Sequence, residues 1–195
     1  MEPVPPSTPI PPPQVKSRTL PYAYKAIHDY SSVQVDLPEL PAAMIAELAS
    51  QIPDNQLAED GREKNPHVTI KYGLHTNNAK DLLPVLAGQP PVVMKFGKTS
   101  YFEGDGFDVV IVRVVSSDLR RLNKLISDSL NHTDTHPQYV PHATVAYVKP
   151  GMGKEYTGDG FMEEIETVCD EITFSTKNEK PAIIKLAGVM QDTAV

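Results

Sequence analysis

The sequence predicts an α+β fold of two pseudo-symmetric sheet-and-helix lobes around a central cleft, and three observations carry that expectation. A seven-residue pattern occurs twice, as Pro66-His67-Val68-Thr69-Ile70-Lys71-Tyr72 and as Pro141-His142-Ala143-Thr144-Val145-Ala146-Tyr147. Segments that alternate every second residue are interleaved with segments of helical spacing, so strands and helices are mixed along the chain. The segments run strand, helix, His strand, helix, strand, strand, helix, His strand, then a loop and two strands. An internal duplication with a pseudo-twofold axis would bring the two His strands together.

Residues 1–21 stand apart in composition, holding Pro3, Pro5, Pro6, Pro9, Pro11, Pro12, Pro13 and Pro21. Such a stretch is expected to be a disordered Pro-rich tail in extended polyproline II, serving as a spacer or as a docking peptide for a partner's SH3-like groove. A single folded domain is expected over 22–195. Ser32 to Leu37 alternates and reads as a strand. Pro41 to Ile52 is Ala-rich, with Met44, Ile45, Leu48 and Ile52 at helical spacing and Pro41 suited to an early helical position. A polar loop from Asp54 to Asn65 leads to the first His strand. Asn77 can cap a short helix ending near Ala87. Strands over Val92 to Phe102 and Phe107 to Val115 follow, joined at Gly104-Asp105-Gly106. Asp118 opens an amphipathic helix carrying Leu119, Leu122, Leu125, Ile126 and Leu130. After the second His strand come a Gly-rich loop (Pro150 to Gly160), an acidic segment, and strands near Glu171–Thr176 and Ala182–Ala187.

Composition narrows the function. The chain has 195 residues and a formal net charge of −7, which argues against broad binding to long nucleic acid driven by phosphate neutralisation. A small nucleotide in a local pocket is compatible. Cys169 is the single cysteine, so no intramolecular disulfide can form and a reducing, cytoplasmic setting is expected. No run of eighteen apolar residues and no signal-peptide pattern is present, so no membrane partner is expected.

The repeated pattern has chemical content. On a regular strand His67, Thr69 and Lys71 share one face, with Val68, Ile70 and Tyr72 behind; His142, Thr144 and Ala146 share a face, with Ala143, Val145 and Tyr147 behind. Proline has no N–H and fits the first position of each strand. Two imidazoles that titrate near neutrality can serve as acid and base, and two hydroxyls can donate to phosphoryl oxygens. His67, Thr69, His142 and Thr144 are therefore the candidate catalytic residues. An ordinary strand with a polar face is the plain alternative for either copy taken alone.

On these two His-x-Thr motifs, each in an apolar strand, and on the strand–strand–helix between them, residues 25–188 resemble the 2H phosphoesterase superfamily. That group includes the LigT-like "2′-5′ RNA ligases", cyclic phosphodiesterases and phage anti-CBASS nucleases. The stretch Tyr72-Gly73-Leu74-His75 is similar in character to phage and bacterial members. The resemblance implies a bilobal fold with the site between the lobes and catalysis without a metal or other cofactor. It also implies an aromatic side chain lining the nucleotide pocket, for which Tyr101 and Phe102 are the candidates; packing within the hairpin is the alternative.

Other residues are weighed in the same way. Lys71 can add charge near the phosphate or be an exposed strand lysine. Tyr72 and Tyr147 are expected in the core, and Tyr22 and Tyr24 can close over the site. His132 and His136 are expected in a solvated loop, although with Asp134 they form a possible metal-ligand set. His28 and His75 are expected at the surface. The Gly-rich loop lacks a Gly-Lys-Ser/Thr run and reads as a flexible flap. The expected function is hydrolysis of a small nucleotide phosphodiester: a 2′,3′-cyclic phosphate, a 2′-5′ linkage, or a cyclic oligonucleotide messenger degraded by a phage protein. A nucleotide-binding accessory module tethered by the Pro-rich tail is the alternative.

Overall fold

The computed structural model describes residues 30–176 and 181–186. The Pro-rich tail, Tyr22, Tyr24, His28 and the end of the last expected strand lie outside them. The strands are β1 (Ser31–Asp36), β2 (Leu57–Arg62), β3 (His67–Leu74), β4 (Val92–Glu103), β5 (Asp108–Val115), β6 (His142–Val148), β7 (Glu166–Cys169), β8 (Glu171–Ser175) and β9 (Ala182–Lys185). The helices are α1 (Glu39–Ser50), α2 (Leu83–Leu86) and α3 (Ser117–Ser129). Among the described residues no helix is long and apolar enough to cross a membrane.

All strands join one sheet in the order β7-β4-β5-β6-β3-β1-β8-β9, with β2 paired to β6, and every pairing is antiparallel. The order divides into two four-stranded halves that meet where β3 and β6 pair at Val68 and Ala143. Each half carries an added segment. β2 lies on β6, and the stretch around His132 bridges to Leu74 at the end of β3. β2 and β7 lie where a polar loop and an acidic segment are expected. Both are edge additions with weak alternation, held by their neighbours' ladders.

One face of the sheet carries the apolar core. Val33, Val35, Val68, Ile70, Val110, Val112, Ala143 and Val145 are at most 1% exposed. The helices cover this face crosswise, α1 packing on β6 and α3 on β3. Ile45, Leu48, Leu119, Leu122 and Ile126 form their buried stripes. Ser116 caps α3 by accepting from Leu119 N at 3.1 Å, so the helix begins ahead of Asp118. Arg62 of β2 closes the other end of α1, donating to the carbonyls of Ala49 and Ile52 at 2.9 and 2.5 Å. The short helix expected from Asn77 is broken into a 3₁₀ turn capped by Asn78 and the four-residue α2.

The Gly-rich loop is no free flap. Gly153 N donates to Asp108 Oδ2 at 2.9 Å, and Thr99 exchanges backbone bonds with Asp159 and Gly158. A Cβ on Gly153 would stand 2.6 Å from the Tyr101 ring, so glycine is required for the loop to lie against β4.

Candidate active site

The pairing of Val68 with Ala143 sets the centre of the site. Counting one residue outward in an antiparallel ladder puts His67 across from Thr144 and Thr69 across from His142. Each histidine thus stands beside the other motif's threonine, and the four side chains share the half-buried face turned away from the helices. The motif residues singled out in the sequence are brought together.

Each imidazole is oriented in the same way. His67 Nδ1 lies 2.8 Å from the carbonyl of Asn65, and His142 Nδ1 lies 2.7 Å from the carbonyl of Val140. A carbonyl only accepts, so Nδ1 carries the proton and donates, leaving each Nε2 with its lone pair free of that bond. Burial holds the His142 imidazole below its ordinary pKa range. The Val140 carbonyl opposes that shift, and the charges of His136 and His67 add to it. Phe102 meets His142 edge to face, with centroids 5.0 Å apart at 80°.

Neighbouring strands supply residues the sequence did not reveal, because they lie far away along the chain. Asp36 is the ladder partner of His67, and Arg113 is the partner of His142. Asp36 accepts from Gln34 Nε2 at 2.7 Å and from Thr173 Oγ1 at 2.6 Å. Arg113 Nη2 donates to Ser100 Oγ at 3.1 Å. Tyr139 donates its buried hydroxyl to the Thr69 carbonyl at 2.9 Å, fixing the middle of β3. Its phenol is pushed far up by burial.

Two expected faces are corrected, and one physical feature explains both. The register of β1 on β3 runs Val33↔Lys71 then Gln34↔Thr69, so Ile70 is an extra residue. The register of β5 on β6 runs Val110↔Ala146 then Ile111↔Thr144, so Val145 is extra. Each His strand has a β-bulge at the same place, and the alternation slips by one. Lys71 therefore turns to the buried side, 6% exposed, where its Nζ is 2.5 Å from Asp134 Oδ1. It does not share the face of His67 and Thr69. Tyr72 and Tyr147, expected in the core, turn to the half-buried face with the histidines.

The remaining candidates separate cleanly. Phe102 pairs with Val109, and Tyr101 with Val110, so Phe102 is on the site face and Tyr101 on the opposite one. Tyr101 donates to Glu103 at 3.0 Å beneath the Gly153 loop. His132 is 5% exposed and not in a solvated loop, because its segment is tied to β3: Thr133 N donates to Gly73 O at 2.8 Å. His136 is exposed. His132 Nε2 lies 3.6 Å from Asp134 Oδ2, but among the described residues no group of three or more His, Cys, Asp or Glu is arranged to hold a metal ion. His75 is exposed, stacked on Tyr30 at 5.2 Å and 2.8 Å from Thr133 Oγ1.

Solved structures share this architecture. The chain is similar to TT0787 of Thermus thermophilus, at a TM-score of 0.56 and 14% identity over 81% of this chain and 95% of that one. It is similar to E. coli LigT complexed with NADP+, at 0.51 and 16% over 82% and 95%. It is also similar to Kluyveromyces marxianus Usb1 with uridine monophosphate, at 0.50 and 8% over 81% and 98%. No protein-family model and no curated protein sequence matches it. Likeness at such identities concerns the fold, and the chain has the 2H phosphoesterase-like fold expected from its motifs.

Proposed function

We propose that the protein is a phosphodiesterase that acts on a small nucleotide by acid–base catalysis between His67 and His142, without a metal. Support comes above all from the register that sets each histidine beside the other motif's threonine, with both Nε2 atoms left to work. His142, held below its ordinary range by burial, is the base. Its Nε2 takes a proton from the attacking oxygen, a water or a neighbouring hydroxyl, as a new P–O bond forms. The old P–O bond breaks, and the leaving oxygen takes its proton from Nε2 of His67, which enters as imidazolium. Thr69 and Thr144 donate to the nonbridging oxygens, where negative charge builds in the transition state. Phe102 lines the nucleotide side of the site. Nucleotide ligands in the similar LigT and Usb1 structures fit this substrate class. A cyclic oligonucleotide messenger, degraded by a phage protein in a host cytoplasm, is one such substrate.

The test is turnover in EDTA of 2′,3′-cyclic mononucleotides, 2′-5′ oligoadenylate and cyclic di- and trinucleotides. His67→Ala and His142→Ala should each lose about 10²–10⁴-fold in kcat. Nucleotide binding without turnover of any substrate by the wild type would replace this reading with the tethered binding module.

A further inference from the structure

The two His strands differ at four of seven aligned positions, yet both keep His, Thr, Tyr and the same bulge. A bulge interrupts its ladder, so its extra residue needs an outside partner. Both have one: Asn123 Nδ2 donates to Ile70 O at 2.7 Å, and Glu63 N donates to Val145 O at 3.0 Å. The consequence shared by the two bulges is that Tyr72 and Tyr147 face the site instead of the core.

Each tyrosine is steadied by a ring from the residue just before the adjacent strand. Tyr30 precedes β1 and meets Tyr72 at 6.2 Å and 79°; Phe107 precedes β5 and meets Tyr147 at 5.6 Å and 72°. The arrangement is therefore duplicated around the centre. Tyr72 pairs with Ser32, and Tyr147 with Val109, so each stands three ladder steps from the Val68–Ala143 pair. The strands are antiparallel, so the tyrosines lie in opposite directions and roughly 20 Å apart along the strands. One nucleoside on a central phosphate reaches only one of them. Two nucleosides joined through that phosphate reach both.

We infer that Tyr72 and Tyr147 are paired stacking platforms for the nucleobases on either side of the scissile phosphate. The substrate class is then a linear or cyclic oligonucleotide with at least two bases, and a cyclic mononucleotide fills only half the site. This rests on the phosphodiesterase reading and names its substrate class.

The experiment compares kcat/KM for a 2′-5′-linked dinucleotide, a cyclic dinucleotide and a 2′,3′-cyclic mononucleotide. Wild type, Tyr72→Leu, Tyr147→Leu, Tyr72→Phe and Tyr147→Phe are measured side by side. The wild type should prefer a two-base substrate. Each Leu variant should lower that preference about tenfold, and each Phe variant should keep it within about twofold, because stacking needs the ring and not the hydroxyl. The preference is a ratio within one preparation, so partial loss of folded enzyme cancels. An unchanged ratio in either Leu variant, or a wild type that turns over only the mononucleotide, overturns the two-platform inference while the phosphodiesterase reading stands. No turnover of any of the three overturns both.

Discussion

Replacing Asn123 by Ala tests whether the bulge in β3 depends on a side chain from α3. Ile70 is fully buried, and its carbonyl accepts from Asn123 Nδ2 at 2.7 Å. Leaving that carbonyl without its donor costs about 1–3 kcal/mol. Alanine is the better helix former, which returns about 0.6 kcal/mol at this mid-helix position. The net loss is therefore about 1–2 kcal/mol. With a urea m-value of about 1–3 kcal/mol/M, the unfolding midpoint should fall by roughly 1 M. Asn123→Asp should cost more at neutral pH, since a carboxylate only accepts and gains no helix propensity. That excess should shrink below about pH 4, where the carboxyl is protonated and can donate. Urea unfolding at pH 7 and pH 4 measures both. An Ala variant within about 0.3 kcal/mol of wild type, or an Asp variant no worse than Ala at pH 7, would refute the role given to this bond.

Further outcomes follow from the same geometry. Gly73 has φ +91°, and a Cβ there would come within 2.0 Å of Thr133 O. Gly73→Ala should therefore lose about 3 kcal/mol or more and lower Tm by at least about 6 °C, read by thermal unfolding. Lys71→Met breaks a mostly buried ion pair and should cost about 1–3 kcal/mol. It should leave KM for a nucleotide within about threefold, whereas a tenfold rise would put the ammonium at the phosphate. The folded chain favours neutral His142, so its contribution to stability is present above the ordinary histidine value near 6.5. It is lost as pH falls through that value toward the lower folded one. Urea midpoints should therefore decline from pH 7 to pH 5, and His142→Gln should decline less; equal slopes would contradict the burial argument.

The sequence by itself determined the class of fold and the four central residues. The reason is local: period-two and helical patterns follow from strand and helix geometry, and His-x-Thr places two polar side chains on one face at a spacing that needs no tertiary knowledge. The duplication was legible too, because both copies retain Pro, His, Thr and Tyr in register. Tertiary structure alone decided which face each later residue of the motif takes. A bulge is specified by partners elsewhere, here Asn123 on α3 and Glu63 beside β2, so nothing within Ile70-Lys71-Tyr72 announces that the alternation slips. The choice of Phe102 over Tyr101 likewise depended on the β4–β5 register. Asp36, Arg113 and Tyr139 reach the site through long-range pairing, and the burial of His132 comes from a bridge to Leu74. Periodicity reports the phase of a strand only while its ladder is regular, and in both His strands the ladder breaks just after the His-x-Thr residues.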